Sequence, residues 1–304
     1  MGTVAGVLGT LAASLAGPLS VSACEYLYLG KLSPVLWHNS TSILAAPFAL
    51  LLFASTSRLL LAGERPGWRM QLVQLLLVVA SGWAKPNYLL ALVPALAVHC
   101  GVAVLAAPRG TRAAAFSSLW WRAAPTGLAA VLVLLGQYAL TYGGDGLQIL
   151  GQRVTNVVSP FALWRGWAET YGINPVWAVV ASLLTPVLLT VLVWPAVRRR
   201  TPLVLAWLTV AVGLATFTLM AEALADGTIL HHGNWMWGAQ TAHMVLFVVL
   251  LVAFAQQFRM LPWPKWAAVG LVALQVVLGM RWVQTLVAGE SATLATVLGC
   301  APGS

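Results

Sequence analysis

The chain has 304 residues, of which 60% are hydrophobic and 8% are charged, with a mean hydropathy of +0.87 and a net charge of +9. This composition excludes an ordinary soluble domain and indicates an integral membrane protein. The apolar runs are long and continuous, which excludes a membrane barrel of short, alternating strands. Three cysteines are too few for a disulfide framework.

Nine apolar runs, each near the roughly 20 residues that cross a bilayer, predict nine membrane helices. In chain order they cover about 3–22, 41–57, 67–83, 88–107, 124–141, 176–196, 202–221, 239–257 and 265–281. The first run could instead be a signal peptide, but no Lys or Arg precedes it. We therefore predict an all-α, polytopic transmembrane bundle that forms a single domain over residues 1–304.

The cationic residues are distributed asymmetrically along this pattern. Those in alternate loops are Arg58, Arg65, Arg69, Arg109, Arg112, Arg122, Arg198, Arg199, Arg200, Arg259 and Lys265. By the positive-inside rule these loops are cytoplasmic, and the N-terminus lies inside. The net charge therefore reports topology and an attraction to anionic membrane lipids. Nucleic acid is not an expected partner.

The acidic residues favour the opposite side. On this topology the outer loops are 23–40, 142–175 and 222–238, and they contain most of the carboxylates. Ionisable groups near membrane depth are costly and usually functional. The sequence thus predicts a site on the outer side of the membrane.

Three polar segments mark this predicted side: WHNST at 37–41, GWAKPNY at 82–88 and LHHGNWMWG at 230–238. Helix N-termini together with Lys85 would suit an anion such as a phosphate. We expect Lys85 to lie near His38 and Asn39. The alternative reading is structural, because Asn39 could be a plain helix cap and Lys85 could extend to the interface.

Glu222 and Asp226 precede His231 and His232 by a few residues. These groups could bind a divalent metal, Mg²⁺ or Mn²⁺, or supply a general base, although the spacing matches no strict metal motif. A solvated loop would look similar. Because a buried carboxylate needs a partner, we expect Glu222 within reach of His232, Asn234 or Lys85.

The loop 142–175 mixes charged and aromatic residues, and its segment 159–171 predicts a short amphipathic helix on the outer surface. Aromatic rings beside hydrogen-bonding charges, such as Trp164 beside Arg165, suit a sugar ring. An interfacial packing helix would have the same pattern.

Four motifs occur in a specific order over about residues 30–245. They are Trp37-His38-Asn39-Ser40-Thr41, Ala84-Lys85-Pro86-Asn87, Ser159-Pro160-Phe161 with Trp164, and Ala221-Glu222 with His232-Gly233-Asn234-Trp235-Met236-Trp237-Gly238. This order resembles a group of bacterial polytopic proteins with a glycosyltransferase C-type (GT-C) fold. Ser40 stands where the group has Pro, and Asn87 where it has Ser or Thr.

The resemblance implies a glycosyltransferase of the bacterial plasma membrane. The donor would be a polyprenyl-phosphate sugar, and the acceptor a glycan or lipid on the outer face. Residues that would bind the substrate are His38, Asn39, Lys85, Asn87, Trp164, Arg165, Asn234 and Trp237. The fold usually has an acidic residue in its first outer loop, where this chain has only Glu25, so the chain resembles an N-terminally shortened version. Glu25 or Glu222 would then accept the acceptor's proton.

Two other functions remain open at this stage. A transporter or flippase for a lipid-linked or small anionic substrate would use the same groups, although no internal repeat is evident. A haem-binding electron-transfer subunit would need paired histidines at one depth, and His99 and His243 are predicted near opposite sides. An absorption spectrum without a Soret band would exclude that subunit.

Overall fold

A computed structural model of the chain describes residues 2–17, 31–32, 40–62, 65–143, 147–149, 151–197, 201–231 and 233–287. The α-helices in these residues are α1 (Gly2–Leu15), α2 (Ser40–Leu61), α3 (Trp68–Ala84), α4 (Asn87–Ala106), α5 (Arg112–Tyr142), α6 (Ala162–Tyr171), α7 (Pro175–Val197), α8 (Thr201–Leu219), α9 (Met236–Gln257) and α10 (Lys265–Val287). One-turn 3-10 helices lie at Arg109–Thr111 and Phe258–Met260.

Six of the described helices, namely α2, α4, α5, α7, α8 and α9, are long and apolar enough to cross a membrane. This confirms a largely helical protein with helices of the length and composition that cross a membrane. Each of the nine predicted runs overlaps one helix. However, α1 and α3 have only 14 and 17 residues. Helix α6, which no apolar run predicted, overlaps the amphipathic segment 159–171.

A four-stranded antiparallel sheet, which the all-α prediction missed, lies in the segments between helices. Its strands are β1 (Gln148–Ile149), β2 (Gln152–Val158), β3 (Met220–Leu224) and β4 (Ile229–Leu230), in the order β1-β2-β3-β4. The β-branched residues of β2 favour an extended backbone. Strands this short are not visible in a hydropathy window of about 19 residues, and β2 pairs with a strand far away in the sequence.

The chain divides into two compact units. The first contains residues 1–40, 163–198 and 243–304, and the second contains residues 41–162 and 199–242. In the second unit α4 packs against α5 and α8, and α3 packs against α5. Buried Gln74 joins three of its helices, since Nε2 donates to Thr56 Oγ1 at 2.8 Å and to Thr126 Oγ1 at 3.1 Å.

In the first unit α1 and α7 both pack against α10. Gln275 Nε2 donates to the carbonyl of Gly17 at 3.1 Å, and fully buried His243 donates from Nε2 to the carbonyl of Ser182 at 2.9 Å. Helix α6 buries Trp164 and Trp167, which are 4% and 3% exposed, while Arg165 is exposed. The helix is therefore amphipathic, as predicted.

Candidate functional site

Lys85 lies in the turn between α3 and α4. It precedes Pro86, which favours an extended backbone; its φ of −167° ends α3 while its N–H still donates to Ser81 O at 2.9 Å. Its Nζ lies 4.2 Å from the ring centroid of Trp237 and donates to Thr41 Oγ1 at 3.2 Å. The side chain is half-buried, and this desolvation lowers the pKa of Lys85 to about 8.

Glu222 is the buried carboxylate of this region, only 4% exposed, and it is carried by strand β3. Oε1 accepts from the hydroxyl of Tyr142 at 2.8 Å, and Oε2 accepts from Nδ2 of Asn234 at 2.9 Å. A buried carboxylate requires such donors, because leaving it unpaired costs several kcal/mol. The predicted partnership with Asn234 is confirmed, and Tyr142 is a second partner that the sequence did not indicate.

Asn87 connects the first turn of α4 to the segment before α9. Its Nδ2 donates to the carbonyl of Asn234 at 2.8 Å. Gly238 makes this approach possible, because a Cβ there would lie 2.6 Å from the carbonyl oxygen of Asn87. One direct hydrogen bond, from the side chain of Asn87 to the backbone of Asn234, therefore connects two of the predicted motifs.

These contacts define a polar cluster that consists of Thr41, Lys85, Asn87, Tyr142, Glu222, Asn234 and Trp237. All seven residues belong to the second unit. They come from the start of α2, the turn between α3 and α4, the end of α5, strand β3 and the segment that begins α9. The structure thus brings together four of the predicted site residues besides Glu222.

Other predicted site residues are not part of this cluster as described. Glu25, His38, Asn39 and His232 lie outside the described residues. Thr41 is the described residue of the WHNST motif that contacts Lys85. Trp164 and Arg165 belong to the first unit, where Trp164 packs edge-to-face on Trp167 at 6.4 Å. Their proposed contact with a sugar stays a prediction.

Two of the candidate metal ligands, Asp226 and His231, lie at the β3–β4 hairpin. The exposed carboxylate of Asp226 accepts from the N–H of Thr228 at 2.9 Å and from Gln152 Nε2 at 3.2 Å. These hydrogen bonds, that of Thr228 first, lower the pKa of Asp226. His231 is exposed. Within the described ranges no three His, Cys, Asp or Glu side chains are grouped to hold a metal ion, and the predicted metal stays a prediction.

Tyr142 and Thr41 are the members of the polar cluster that sequence reasoning did not assign to the site. Tyr142 ends the long apolar helix α5, and its hydroxyl reaches a carboxylate 80 residues away. A tyrosine at the end of an apolar helix is usually read as an interfacial residue. The only local signal for its role is therefore a polar group beside a membrane helix.

The polar cluster combines a cation, a fixed carboxylate and two amides beside an aromatic face. Such a set can neutralise an anionic group, accept a proton and hydrogen-bond a polar ligand. No protein-family model matches the sequence, and comparisons with curated proteins and with solved structures found no significant match.

Proposed function

We propose that the protein is a membrane glycosyltransferase that moves a sugar from a polyprenyl-phosphate donor to a glycan or lipid acceptor at the polar cluster. The observations that carry the proposal are the contact of Lys85 with Trp237 and the hydrogen-bonded triad of Tyr142, Glu222 and Asn234. The two are connected at the carbonyl of Asn234, which accepts from the backbone N–H of Trp237 and from the side chain of Asn87. Ionisable groups near membrane depth are costly and usually functional.

The proposed roles follow from the charges. Lys85 binds the phosphate and offsets the charge that develops on it as the sugar leaves. Glu222, whose position is fixed by Tyr142 and Asn234, takes the proton of the acceptor hydroxyl. The acceptor oxygen forms a bond to the anomeric carbon, the bond from that carbon to the phosphate oxygen breaks, and polyprenyl phosphate leaves with the electron pair.

The wider assignment belongs to the same proposal. It comprises nine membrane spans, a GT-C-like fold and a cytoplasmic N-terminus. The polar cluster would face the outer side of the bacterial plasma membrane. The motif order and the loop charges described above support it. Glu25, His38 and Asn39 remain candidates for the same site.

A divalent cation is a further element of the proposal. Asp226, His231 and His232 would hold it near the transferred phosphate. Sugar transfer should then depend on the metal: EDTA should lower the transfer activity, and Mg²⁺ or Mn²⁺ should restore it. Equal transfer activity with and without EDTA would exclude a role for a metal and would not affect the proposed roles of Lys85 and Glu222.

The function is tested with the purified, full-length protein in vesicles that contain a polyprenyl-phosphate sugar labelled in the sugar. Release of polyprenyl phosphate together with labelled product supports the transferase. Movement of the intact labelled donor between leaflets, with no bond cleaved, would instead show the flippase. If a panel of donors shows neither cleavage nor movement, the proposed substrate class is wrong.

A further inference from the structure

A second candidate site lies in the second unit, away from the polar cluster. It is an apolar groove of about 460 Å³ between α4 and α5, within the roughly 300–1,000 Å³ typical of ligand sites. Its walls on α4 run from Val93 to Leu105, and on α5 from Phe116 to Gly127. Both helices are among those long and apolar enough to cross a membrane.

Small residues create this space. Ala97 and Gly101 line the groove on α4, and Ala124 and Gly127 line it on α5. A Cβ added at Gly101 or Gly127 would meet no atom within 4 Å. The larger rings of Phe116 and Trp120 stack at 5.8 Å and form one side of the groove. The groove is therefore open space and not a close helix contact.

The dimensions of the groove fit one hydrocarbon chain. From Val93 to Leu105 the α4 wall is about 18 Å long at 1.5 Å per residue. One leaflet contributes about half of the roughly 30 Å hydrocarbon thickness. The groove thus has the length of a single leaflet.

Positive charge lies at one end of the groove. The guanidinium of Arg112 donates from Nη2 to Leu105 O at 3.0 Å and from Nε to Ala107 O at 3.2 Å, which holds it beside a lining residue. Exposed Arg109 lies in the same short connection. Two guanidinium groups at this end of the groove favour a phosphate.

We propose that this groove holds one hydrocarbon chain of an anionic membrane phospholipid, whose phosphate contacts Arg109 and Arg112. This inference is independent of the proposed transferase. The lipid chain fills the space that the small residues leave, and the headgroup selects an anionic lipid over a zwitterionic one.

The test uses two photoactivatable phospholipids with the same diazirine-bearing chain, one with a phosphatidylglycerol headgroup and one with phosphatidylcholine. Each is incorporated into vesicles with the full-length protein, and adducts are mapped by mass spectrometry. The expected result is labelling around Cys100, Phe116 and Trp120, about tenfold stronger for the anionic probe.

Two pairs of variants test the binding of the hydrocarbon chain and the binding of the lipid headgroup separately. Gly127→Leu fills the groove and should lose most adducts, whereas Gly136→Leu, a site on the same helix that is also open and lies outside the groove, should keep them. Arg109→Gln/Arg112→Gln should remove the preference for the anionic probe, and Arg69→Gln should not. Unchanged labelling in Gly127→Leu would overturn the chain site. Equal labelling by both probes in the unaltered protein would show general lipid contact only.

Discussion

At the level of single residues, Glu222 is unusual because it is a carboxylate with 4% exposure that accepts from two different side chains. Tyr142 and Asn234 supply the donors that a buried carboxylate needs. Such bonds also fix the direction of the carboxylate. A fixed carboxylate can serve as a general base or can simply lock the segment before α9, and the two roles differ in one respect: only the first requires the charge.

The first prediction separates these two roles. Glu222→Gln retains the shape of the side chain but removes its charge, so we expect transfer to fall by about 100-fold or more. Tyr142→Phe removes one hydrogen bond and leaves the carboxylate, so we expect a smaller loss, of about tenfold. Both variants are measured for transfer and for thermal unfolding in detergent.

The comparison of the two variants decides the outcome. If Glu222→Gln folds and transfers sugar at the full rate, the general-base role is wrong. Only the locking role would then remain. Equal losses of stability in the two variants with unequal losses of transfer would support the charge as the essential property.

A second prediction concerns Lys85, whose pKa is about 8. Because the pKa is lowered, the amine of the unliganded protein loses its charge as the pH rises through about 8. Donor binding should therefore weaken above that pH. Lys85→Ala should abolish binding, and Lys85→Arg should keep part of it.

The Lys85→Arg variant also serves as a control for the effect of pH. The guanidinium of Lys85→Arg stays charged, so its residual binding should not decline above pH 8. Donor affinity is measured by titration between pH 6.5 and pH 9.5, a range chosen to bracket about pH 8. If donor affinity declines equally in the unaltered protein and in Lys85→Arg, the pH dependence belongs to another group.

At the level of elements, the start of α9 packs closely against its neighbours. A Cβ at Gly238 would lie 2.6 Å from Asn87 O, and a Cβ at Gly213 on α8 would lie 2.7 Å from the Cα of Ala239. These contacts leave no room for a side chain. The backbone approach of α4, α8 and α9 is therefore what sets the bond between Asn87 and Asn234.

The third prediction follows from this packing. Gly238→Ala should separate α9 from α4, destabilise the protein by about 1–3 kcal/mol and weaken donor binding. Gly136→Ala is the matched control, because a Cβ there meets no atom within 4 Å. Thermal unfolding in detergent measures both. A Gly238→Ala protein as stable as Gly136→Ala would show that the close approach can relax without cost.

The helices could be predicted from the sequence and the sheet could not. Each apolar run is long enough to specify a helix through its own composition. Helix α6 could be predicted because its Trp residues and its charged residues fall on different faces at helical spacing. Strand β2 depends on pairing with β3 in a register that sets Asn156 opposite Glu222. No local pattern specifies that pairing.

The candidate site could be predicted in part for the same reason. The need of a buried carboxylate for a donor led to three expected partners of Glu222, and one of them, Asn234, only 12 residues away, is its partner in the structure. The bond from Tyr142 and the contact of Lys85 with Trp237 join distant segments. Such contacts depend on how the helices pack, which the sequence pattern does not show.

At the level of the whole molecule, the distribution of arginine gives a fourth prediction. In a cysteine-free background, Asp226→Cys should react from outside intact cells with a membrane-impermeant maleimide. Arg199→Cys should react only after permeabilisation, because its basic loop is predicted to be cytoplasmic. Reaction of Arg199→Cys in intact cells would reverse the topology, and the polar cluster would then face the cytoplasm.

The sheet has one further consequence. Strands β1 and β4 lie at its two edges, and an edge strand exposes backbone N–H and C=O groups on one side. Hydrocarbon cannot satisfy those groups, so an open sheet does not face lipid. The sheet therefore marks a level along the membrane normal at which water or protein must surround the chain. Glu222 is fixed at that level by its strand, so protein or water, and not hydrocarbon, surrounds its carboxylate.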